Sequence, residues 1–414
     1  MWNSKPPLQI WIQVLFIKLI GYNELAIRLP SALASSSSAL TLFLFFKKRT
    51  SLVFAFTVFF VFVTSFGVST FHTGRTGDSD ALLSFFILLY IISFYKWLFE
   101  NNEKAIFSFF IYLTLAILTK SIAALLFIPA IAFLVFYFKK IELLISNKWF
   151  YIGFFPFIML SLGYFYLRDF YQNGYISYLL NNDIGRINKA IESHSEPFDF
   201  YLNNLFNKRF LWFILILPGT FALWKNKKTK SNAIFLVSLF ISYFLIISYS
   251  TTKLEWYDLP LFPILSILSA YVIFVFIRKI NIANKSFHSS VSLISIFALP
   301  FYFSCRNSYK SEIPSEEKKI EILTEYAFKN CKNTSLNNTV FFTNDYDRPL
   351  FFYKYKLNTK GMNFNITHSL NTINLNDIVI VSEDSLKILL NQKFNLQTVD
   401  SFNSVLKVKV HSLK

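Results

Sequence analysis

The chain has 414 residues, of which 54% are hydrophobic, 20% aromatic and only 16% charged. An ordinary soluble domain carries about 25% charged residues, so this composition, with its 52 phenylalanines, excludes soluble, disordered, collagen-like and disulfide-scaffold proteins and indicates a polytopic membrane protein. The formal net charge of +17 is typical of basic cytoplasmic loops in such a protein, and no nucleic-acid partner is expected.

The apolar segments predict a helical membrane domain over residues 1–304. The first of them, residues 8–20, is short and carries Gln9 and Gln13, so we predict an interfacial amphipathic helix there. Later apolar runs approach or reach the length that crosses a hydrocarbon core of about 30 Å. We predict about ten spans, at residues 29–46, 51–70, 80–99, 105–119, 121–138, 149–167, 210–224, 232–250, 259–277 and 288–304.

Basic residues alternate between the loops that connect these spans. The loops rich in Lys and Arg lie at residues 47–49, 96–104, 139–148, 225–230 and 278–285. The intervening loops mix charges of both signs, and the longest of them covers residues 168–209. Because basic loops stay in the cytoplasm, the mixed loops are predicted to face outward. The same alternation places residues 1–7 outside, which predicts a further helix upstream of them.

The composition changes at residue 305. Short strand-like runs at 340–343, 377–381 and 405–410 alternate with helical candidates, which predicts a small α/β domain over residues 305–414. The number of spans places this domain outside the cytoplasm. Cys305 and Cys331 have no metal-site spacing, and they form one disulfide only if that location is correct.

Two polar clusters fall near the amino-terminal spans. Lys5 precedes Pro6 and Pro7, which favour an extended backbone, and its simplest interpretation is an interfacial lysine. Arg75, Asp78 and Asp80 form the compact sequence RTGDSD at the start of a predicted helix. Either aspartate could cap that helix, although Asp80 begins an apolar run and is expected to face inward. Charges this close to a bilayer are costly and are often functional.

Two further clusters lie later in the outward loops. Asp183, Arg186 and His194 belong to the long loop, where Arg186 is either solvated or a phosphate ligand. Lys253 and Tyr257 precede a predicted span and are either interfacial anchors or anion ligands. Together with the first two clusters, they place several cations and carboxylates on one membrane face. This arrangement suits a lipid-linked phosphate and a hydroxyl acceptor.

Several of these segments carry a family resemblance. The segment NSKPPLQIWIQVLFIKLIGYNELAIRLPSALA resembles the first signature of the GT-C glycosyltransferases, in the group of the lipid A aminoarabinose transferases and the protein O-mannosyltransferase-like enzymes. RTGDSDALLSFFILL, LTKSIAALLFIP, NNDIGRINKAIESH and STTKLEWYDLPLFP resemble later signatures of the same group in the same order. The resemblance covers roughly residues 3–265.

The resemblance implies a bacterial plasma-membrane enzyme that moves a sugar from a polyprenyl-phosphate donor to a lipid, glycan or protein on the outer face. Lys5, Arg186 and Tyr257 match family residues that hold the donor phosphate, and Lys253 belongs to the same motif as Tyr257. Asp80 matches a carboxylate of the second outward loop. No cofactor is implied, and no ligand set in the sequence supports a divalent metal.

One family feature has no counterpart in the sequence. The general base of the family is an acidic residue of the first outward loop, upstream of the KPPL motif, and the position before the lysine is Ser4 here. We therefore expect the first helix and first outward loop to be missing, and we assign Asp80 and Asp78 only as supporting carboxylates. A non-catalytic or truncated protein that binds or transports a sugar lipid remains the alternative, although a transporter would place its charges near the bilayer midplane.

Overall fold

The computed structural model describes residues 5–185, 195–283, 297–306, 315–331, 336–344 and 347–414. The chain forms two compact units, Met1–Ser311 and Glu312–Lys414. The described part of the first unit is helical, and the second contains a five-stranded sheet with helices. The predicted fold class, a helical membrane domain followed by a small α/β domain, is confirmed.

The described part of the first unit is built from helices of very different lengths. In chain order they are α1 (Leu8–Ile20), α2 (Glu24–Arg49), α3 (Leu52–Val63), α4 (Asp80–Glu100), α5 (Ala105–Lys120), α6 (Ile128–Tyr137), α7 (Ile141–Ile145), α8 (Lys148–Tyr171), α9 (Tyr175–Asp183), α10 (Phe200–Asn204), α11 (Ile216–Lys225), α12 (Lys230–Tyr249) and α13 (Phe262–Ala283). Residues 297–306 are also helical.

Six described segments are long and apolar enough to cross a bilayer. They are Glu24–Arg49, Asp80–Glu100, Ala105–Leu125, Lys148–Tyr171, Lys230–Tyr249 and Glu255–Lys279. A seventh span is obtained if Phe200–Arg209 and Phe213–Lys225, which meet at 116°, are one broken helix. The chain is therefore a multi-pass membrane protein.

The remaining predicted spans differ from the structure in length or lie outside the described residues. The predicted span 51–70 contains only the 12-residue α3, because the chain leaves the helix at Thr64 and forms a loop up to Ser79. The span 121–138 contains the 10-residue α6, because Ser121–Leu125 is a 3₁₀ helix. Most of 288–304 lies outside the described residues. The long loop 168–209 is partly helical, since it contains α9 and α10.

Helix α1 turns its polar side chains inward and its apolar side chains outward. Gln9 is 5% exposed, and the Gln9 and Gln13 amides both donate hydrogen bonds to the carbonyl oxygen of Gly77, at 3.1 and 2.7 Å. Trp11, Leu15 and Leu19 are exposed. An exposed apolar face is what a helix at the bilayer surface presents to lipid. The interfacial placement of α1 itself stays a prediction.

Helix α4 is at the centre of the first unit. It packs against α2 and α5, and aromatic residues fill its surroundings, with Tyr90, Phe94 and Trp97 almost completely buried. The Phe94 ring stacks on Trp97 and on Phe235 of α12. Because α4 begins at Asp80, this packing fixes where the Asp80 carboxylate lies.

The second unit contains a mixed sheet in the order β2-β1-β3-β5-β4. The strands are β1 (Thr339–Phe342), β2 (Asn365–Thr367), β3 (Ile378–Val381), β4 (Phe394–Phe402) and β5 (Val405–Leu413). Strands β1, β2 and β3 are parallel, whereas β5 pairs antiparallel with β3 and β4. The three predicted strands are present. Strands β2 and β4 were not predicted, because β2 has three residues and β4 is mostly exposed.

Candidate functional site

A cavity of about 300 Å³ lies at the amino-terminal end of α4. It is lined from five separate parts of the sequence: the Lys5 segment, the loop before α4, the end of α5, the end of α9 and the segment before α13. The charged and polar side chains around it belong to Lys5, His72, Asp78, Asp80, Lys120, Ser121, Asn182, Asp183, Tyr243, Ser250, Trp256 and Tyr257.

The turn before α4 is held in place by α1 and α2. The Gly77 carbonyl accepts the two glutamine amides of α1, and the Ser31 hydroxyl donates to the Asp78 carbonyl at 2.7 Å. A Cβ on Gly77 would lie 2.7 Å from Ile27 Cγ2, so only glycine allows α2 to approach this closely. These contacts fix the backbone from which Asp78 and Asp80 project.

The Asp78 carboxylate is held in its ionised form. Thr76 Oγ1 donates to Asp78 Oδ2 at 2.6 Å, and His72 Nδ1 lies 3.0 Å from the same oxygen. Burial by itself would raise the pKa of Asp78, but the hydrogen bonds from His72 and Thr76 and the charges of His72 and Lys5 outweigh it and lower the pKa to about 2. Asp78 therefore pairs with neighbouring side chains instead of capping α4.

Asp80 and Lys120 form an ion pair at the base of the cavity. Lys120 Nζ lies 2.5 Å from Asp80 Oδ1, and the two side chains are 14% and 5% exposed. Lys120 Nζ also lies 4.5 Å from the centroid of the Tyr257 ring. Lys120 ends α5, where a cation also interacts favourably with the helix dipole. Its contacts with Asp80 and Tyr257 place it among the residues that line the cavity.

The position of Tyr257 is set by hydrogen bonds to its own segment, the 3₁₀ helix Glu255–Leu261. Tyr243 donates its hydroxyl hydrogen to the Tyr257 carbonyl at 2.9 Å, and Tyr201 donates to the Leu254 carbonyl at 3.1 Å. The neighbouring Asp258 accepts hydrogen bonds from Arg209 Nε and Nη2 at 2.8–3.0 Å. Three elements therefore hold this segment, and Tyr257 lines the cavity.

The Arg209–Asp258 pair is buried next to the cavity without lining it. The two side chains are 4% and 0% exposed, and Arg209 Nη1 also donates to Thr70 Oγ1 at 3.2 Å. Arg209 thus joins the end of the broken helix at residues 200–209 to the loop before α4 and to the segment that carries Tyr257. Its contacts give it a positioning role.

Lys5 and His72 complete the rim of the cavity. Lys5 lies close enough to Asp78 for its charge to lower the pKa of that carboxyl. The His72 ring lies against Trp256, with ring centroids 3.8 Å apart. The cavity thus has cationic groups and carboxylates on its wall, with an aromatic pair beside them.

The structure brings together most of the residues that the sequence singled out. Lys5, Asp78, Asp80, Asp183 and Tyr257 all line the cavity. Of the two interpretations left open for Asp78, the helix cap is not found, because its carboxylate bonds to His72 and Thr76.

Lys253 and Arg75 do not line the cavity. The Lys253 ammonium donates to the carbonyl oxygens of Ser250 and Glu196 at 2.6 and 2.9 Å, and burial lowers its pKa. Arg186 and His194 lie outside the described residues.

The sequence prediction missed Lys120, His72 and Trp256 as site residues. One signal for Lys120 was present, because it is a lone charge inside the apolar stretch 105–138, where an unpaired cation is costly. His72 and Trp256 are separated by more than 180 residues, and nothing in either segment predicts that their rings are in contact. Among the described residues, no three His, Cys, Asp or Glu side chains are grouped closely enough to hold a metal ion.

Comparisons with known proteins agree in sequence and in fold. Residues 4–164 match the family described as dolichyl-phosphate-mannose-protein mannosyltransferase. An uncharacterized protein of Aquifex aeolicus is 25% identical over 304 residues, covering 72% of this chain and 59% of the relative. The undecaprenyl phosphate-alpha-4-amino-4-deoxy-L-arabinose arabinosyl transferase of Yersinia pestis is 26% identical over 279 residues, covering 64% of this chain and 49% of the relative. The chain thus spans about half the length of these relatives.

The crystal structure of ArnT from Cupriavidus metallidurans bound to undecaprenyl phosphate has the same fold. It superposes with a TM-score of 0.74 at 13% identity, covering 99% of this chain and 88% of ArnT. Its apo structure gives a TM-score of 0.71. The family match, the sequence relatives and the shared fold confirm the predicted resemblance to the GT-C glycosyltransferases of the aminoarabinose transferase and protein mannosyltransferase type.

Proposed function

We propose that this protein transfers a sugar from a polyprenyl-phosphate donor to a hydroxyl group of a lipid, glycan or protein acceptor. The observation that carries the proposal is the single cavity in which Lys5, Lys120 and Tyr257 lie beside Asp78 and Asp80. The curated arabinosyl transferase relative and the ArnT structure bound to undecaprenyl phosphate support a donor of this class.

The cations suit the leaving group of this reaction. Transfer forms a bond between the acceptor oxygen and the anomeric carbon of the sugar and breaks the bond from that carbon to the phosphate oxygen. The acceptor hydroxyl loses its proton to solvent water, and polyprenyl phosphate leaves with increased negative charge. Lys5, Lys120 and Tyr257 can stabilise that charge, and they do so more strongly in a partly desolvated cavity than in water.

The two aspartates suit orienting and electrostatic roles better than proton transfer. Asp78 has a pKa of about 2, so it is ionised at neutral pH but binds a proton weakly. Asp80 accepts the short hydrogen bond from Lys120, which orients the ammonium towards Tyr257. We therefore propose that Asp80 fixes the position of Lys120 and that Asp78 fixes the positions of His72 and Lys5 at the cavity.

The charge of the loops supports a site on the outer face of the bacterial plasma membrane. The cavity opens at the end of α4 next to the mixed-charge loop 71–79, whereas the Lys and Arg clusters lie in the alternate loops. Basic loops stay cytoplasmic, so the cavity would face outward. By the same rule the second unit, Glu312–Lys414, would be extracytoplasmic.

A binding measurement and a turnover measurement separate this proposal from its alternative. Purified full-length protein is titrated with undecaprenyl phosphate and is assayed separately for release of that lipid from undecaprenyl-phosphate sugars. We expect wild-type protein to bind the lipid and Lys120→Ala to bind it about tenfold more weakly. Lys228→Ala, in a basic loop away from the cavity, should bind like wild type.

The pattern of failure identifies which part of the proposal is wrong. Equal binding by wild type, Lys120→Ala and Lys228→Ala would overturn the phosphate site. Lipid binding that depends on Lys120, without turnover of any donor, would instead favour the second candidate, a non-catalytic or truncated protein that binds or transports a sugar lipid. The low pKa of Asp78 and the ion-paired state of Asp80 are the observations that favour this candidate.

A further inference from the structure

A second cavity, of about 320 Å³, lies at the other end of α4. It is bounded by the last turns of α2 and α4 and by the beginning of α5, and its size falls within the range of ligand pockets. Among the α4 residues that line it, Lys96 lies 16 residues after Asp80, which is about 24 Å along the helix. It is therefore a separate place in the fold, and the proposed transfer reaction does not use it.

The charged lining of this second cavity is entirely positive. Lys48, Arg49, Lys96 and Lys104 line it, and no acidic residue does so in the described part of the chain. Arg49 is already paired with Glu100, with 2.7 Å between Nη2 and Oε2. Within the described residues, Lys48, Lys96 and Lys104 make no salt bridge, although Lys104 lies 5.5 Å from the Trp149 ring.

Hydroxyl and amide groups add hydrogen-bond donors to the same wall. Ser93 is 4% exposed, lines the cavity and makes no side-chain hydrogen bond to any described residue. A hydroxyl that lines a cavity without a protein partner is available to hydrogen-bond a ligand or water there. Ser108 and Asn102 line the cavity beside it.

Helix-dipole interactions explain only part of this arrangement. Lys48 and Arg49 lie in the last turn of α2, where cations are favourable without any ligand. Lys96 lies a full turn before the end of α4, and Lys104 precedes α5, where a cation is unfavourable. These cations occupy different positions on their helices and yet line one cavity. An anion between them explains this better than helix dipoles do.

The remaining wall is apolar and reaches the outer surface of the helices. Leu44, Leu89 and Ile92 line the cavity, and Leu44 is 45% exposed. A phosphate-bearing head group next to an apolar surface is the chemistry of a phospholipid, and basic pockets between membrane helices bind such head groups. We propose that this cavity holds the phosphate of an anionic phospholipid between Lys48, Lys96 and Lys104, with its acyl chain against Leu44.

The test measures retention of phospholipid by the full-length protein. Protein is extracted from vesicles that contain equal amounts of phosphatidylglycerol and phosphatidylcholine, and bound lipids are counted by native mass spectrometry. We expect wild type to retain phosphatidylglycerol at least tenfold in preference to phosphatidylcholine. Lys48→Ala/Lys96→Ala should lose that preference. Lys227→Ala/Lys228→Ala, which removes the same charge from another basic loop, should keep it.

Two further measurements keep the proposal testable if the double variant does not fold. Ser93→Val removes the buried hydroxyl while keeping every cation, and it should lower the preference for phosphatidylglycerol severalfold. Inorganic phosphate at 10 mM, roughly the concentration that competes at a weak anion site, should not displace the lipid. Equal loss of preference in the Lys227/Lys228 variant, an unchanged preference in Ser93→Val, or displacement by phosphate would each overturn the assignment to a phospholipid.

Discussion

The two ends of α4 balance charge in opposite ways. At its beginning, Asp80 pairs with Lys120, and Asp78 lies against His72 and near the charge of Lys5, so side chains of the protein hold both carboxylates. At its end, Lys96 faces a cavity that has no acidic wall among the described residues. The first site is therefore organised in advance by the protein, whereas the second depends on the proposed external anion to balance its charge.

Breaking the most deeply buried ion pair at the organised end should have the largest effect. Arg209→Met leaves the Asp258 carboxylate buried without a partner, which costs roughly 3–5 kcal/mol of unfolding free energy. Lys208→Met is the matched control, because Lys208 forms an exposed pair with Glu255 at 3.6 Å and such pairs contribute about 0–1 kcal/mol. Denaturant unfolding in detergent, followed by tryptophan fluorescence, measures both. Similar losses in the two variants would contradict the assigned role of Arg209.

Removing the cation nearest Tyr257 should affect turnover next most strongly. Lys120→Met removes a preorganised charge from the leaving phosphate, and loss of one such donor lowers kcat by about 10²–10³-fold. Lys228→Met should leave kcat unchanged, because its charge lies in a basic loop away from the cavity. Release of polyprenyl phosphate under saturating donor measures kcat. A Lys120→Met enzyme with wild-type kcat and raised KM would show that Lys120 contributes only to binding.

The low pKa of Asp78 predicts acid sensitivity at the organised end. A carboxyl whose pKa is lowered in the folded state stabilises the fold above its unfolded pKa of 3.8, and this contribution is lost as the pH falls towards about 2. The free energy of unfolding falls by about 2 kcal/mol when this contribution is lost, because each pKa unit corresponds to about 1.4 kcal/mol. Asp78→Asn should therefore unfold with a flatter pH dependence than wild type between pH 4 and 2. Parallel profiles for the two proteins would contradict the pairing with His72.

The smallest predicted effects belong to Lys5, on the rim of the first cavity, and to Arg186, which the sequence motif assigns to the donor phosphate. Lys5→Ala and Arg186→Ala should each weaken binding of undecaprenyl phosphate by roughly tenfold, about the effect of one charged hydrogen bond. Lys228→Ala provides the control for general loss of positive charge. If all three variants bind undecaprenyl phosphate equally, Lys5 and Arg186 do not recognise the lipid phosphate, and the contrast between the two ends of α4 does not apply to it.

Much of the fold could be predicted because it depends on local composition. Apolar runs gave the spans, and α4 begins and ends within one residue of the predicted 80–99. Helix α3 was shorter than predicted, because VTSFGV continues the apolar run although the chain turns at Thr64. A run of apolar residues indicates that a segment is buried, but it does not show where a helix ends and a buried loop begins.

The candidate site was only partly predictable, because its members meet through tertiary packing. Asp80, Lys5 and Tyr257 belong to motifs that can be recognised within one segment. Lys120 lies 40 residues from Asp80, and Arg209 lies 49 residues from Asp258. The segments around Lys120 and Arg209 do not reveal which carboxylate each side chain pairs with, because the pairing depends on how α4, α5 and the broken helix pack together.

The two glutamines of α1 have a mechanical consequence. Their amides grip a single carbonyl oxygen, that of Gly77, while Trp11, Leu15 and Leu19 on the opposite side are exposed. Any displacement of α1 is therefore transmitted through these two hydrogen bonds to the turn that carries Asp78. At the predicted interfacial position of α1, a change in bilayer thickness would in this way alter the geometry of the first cavity.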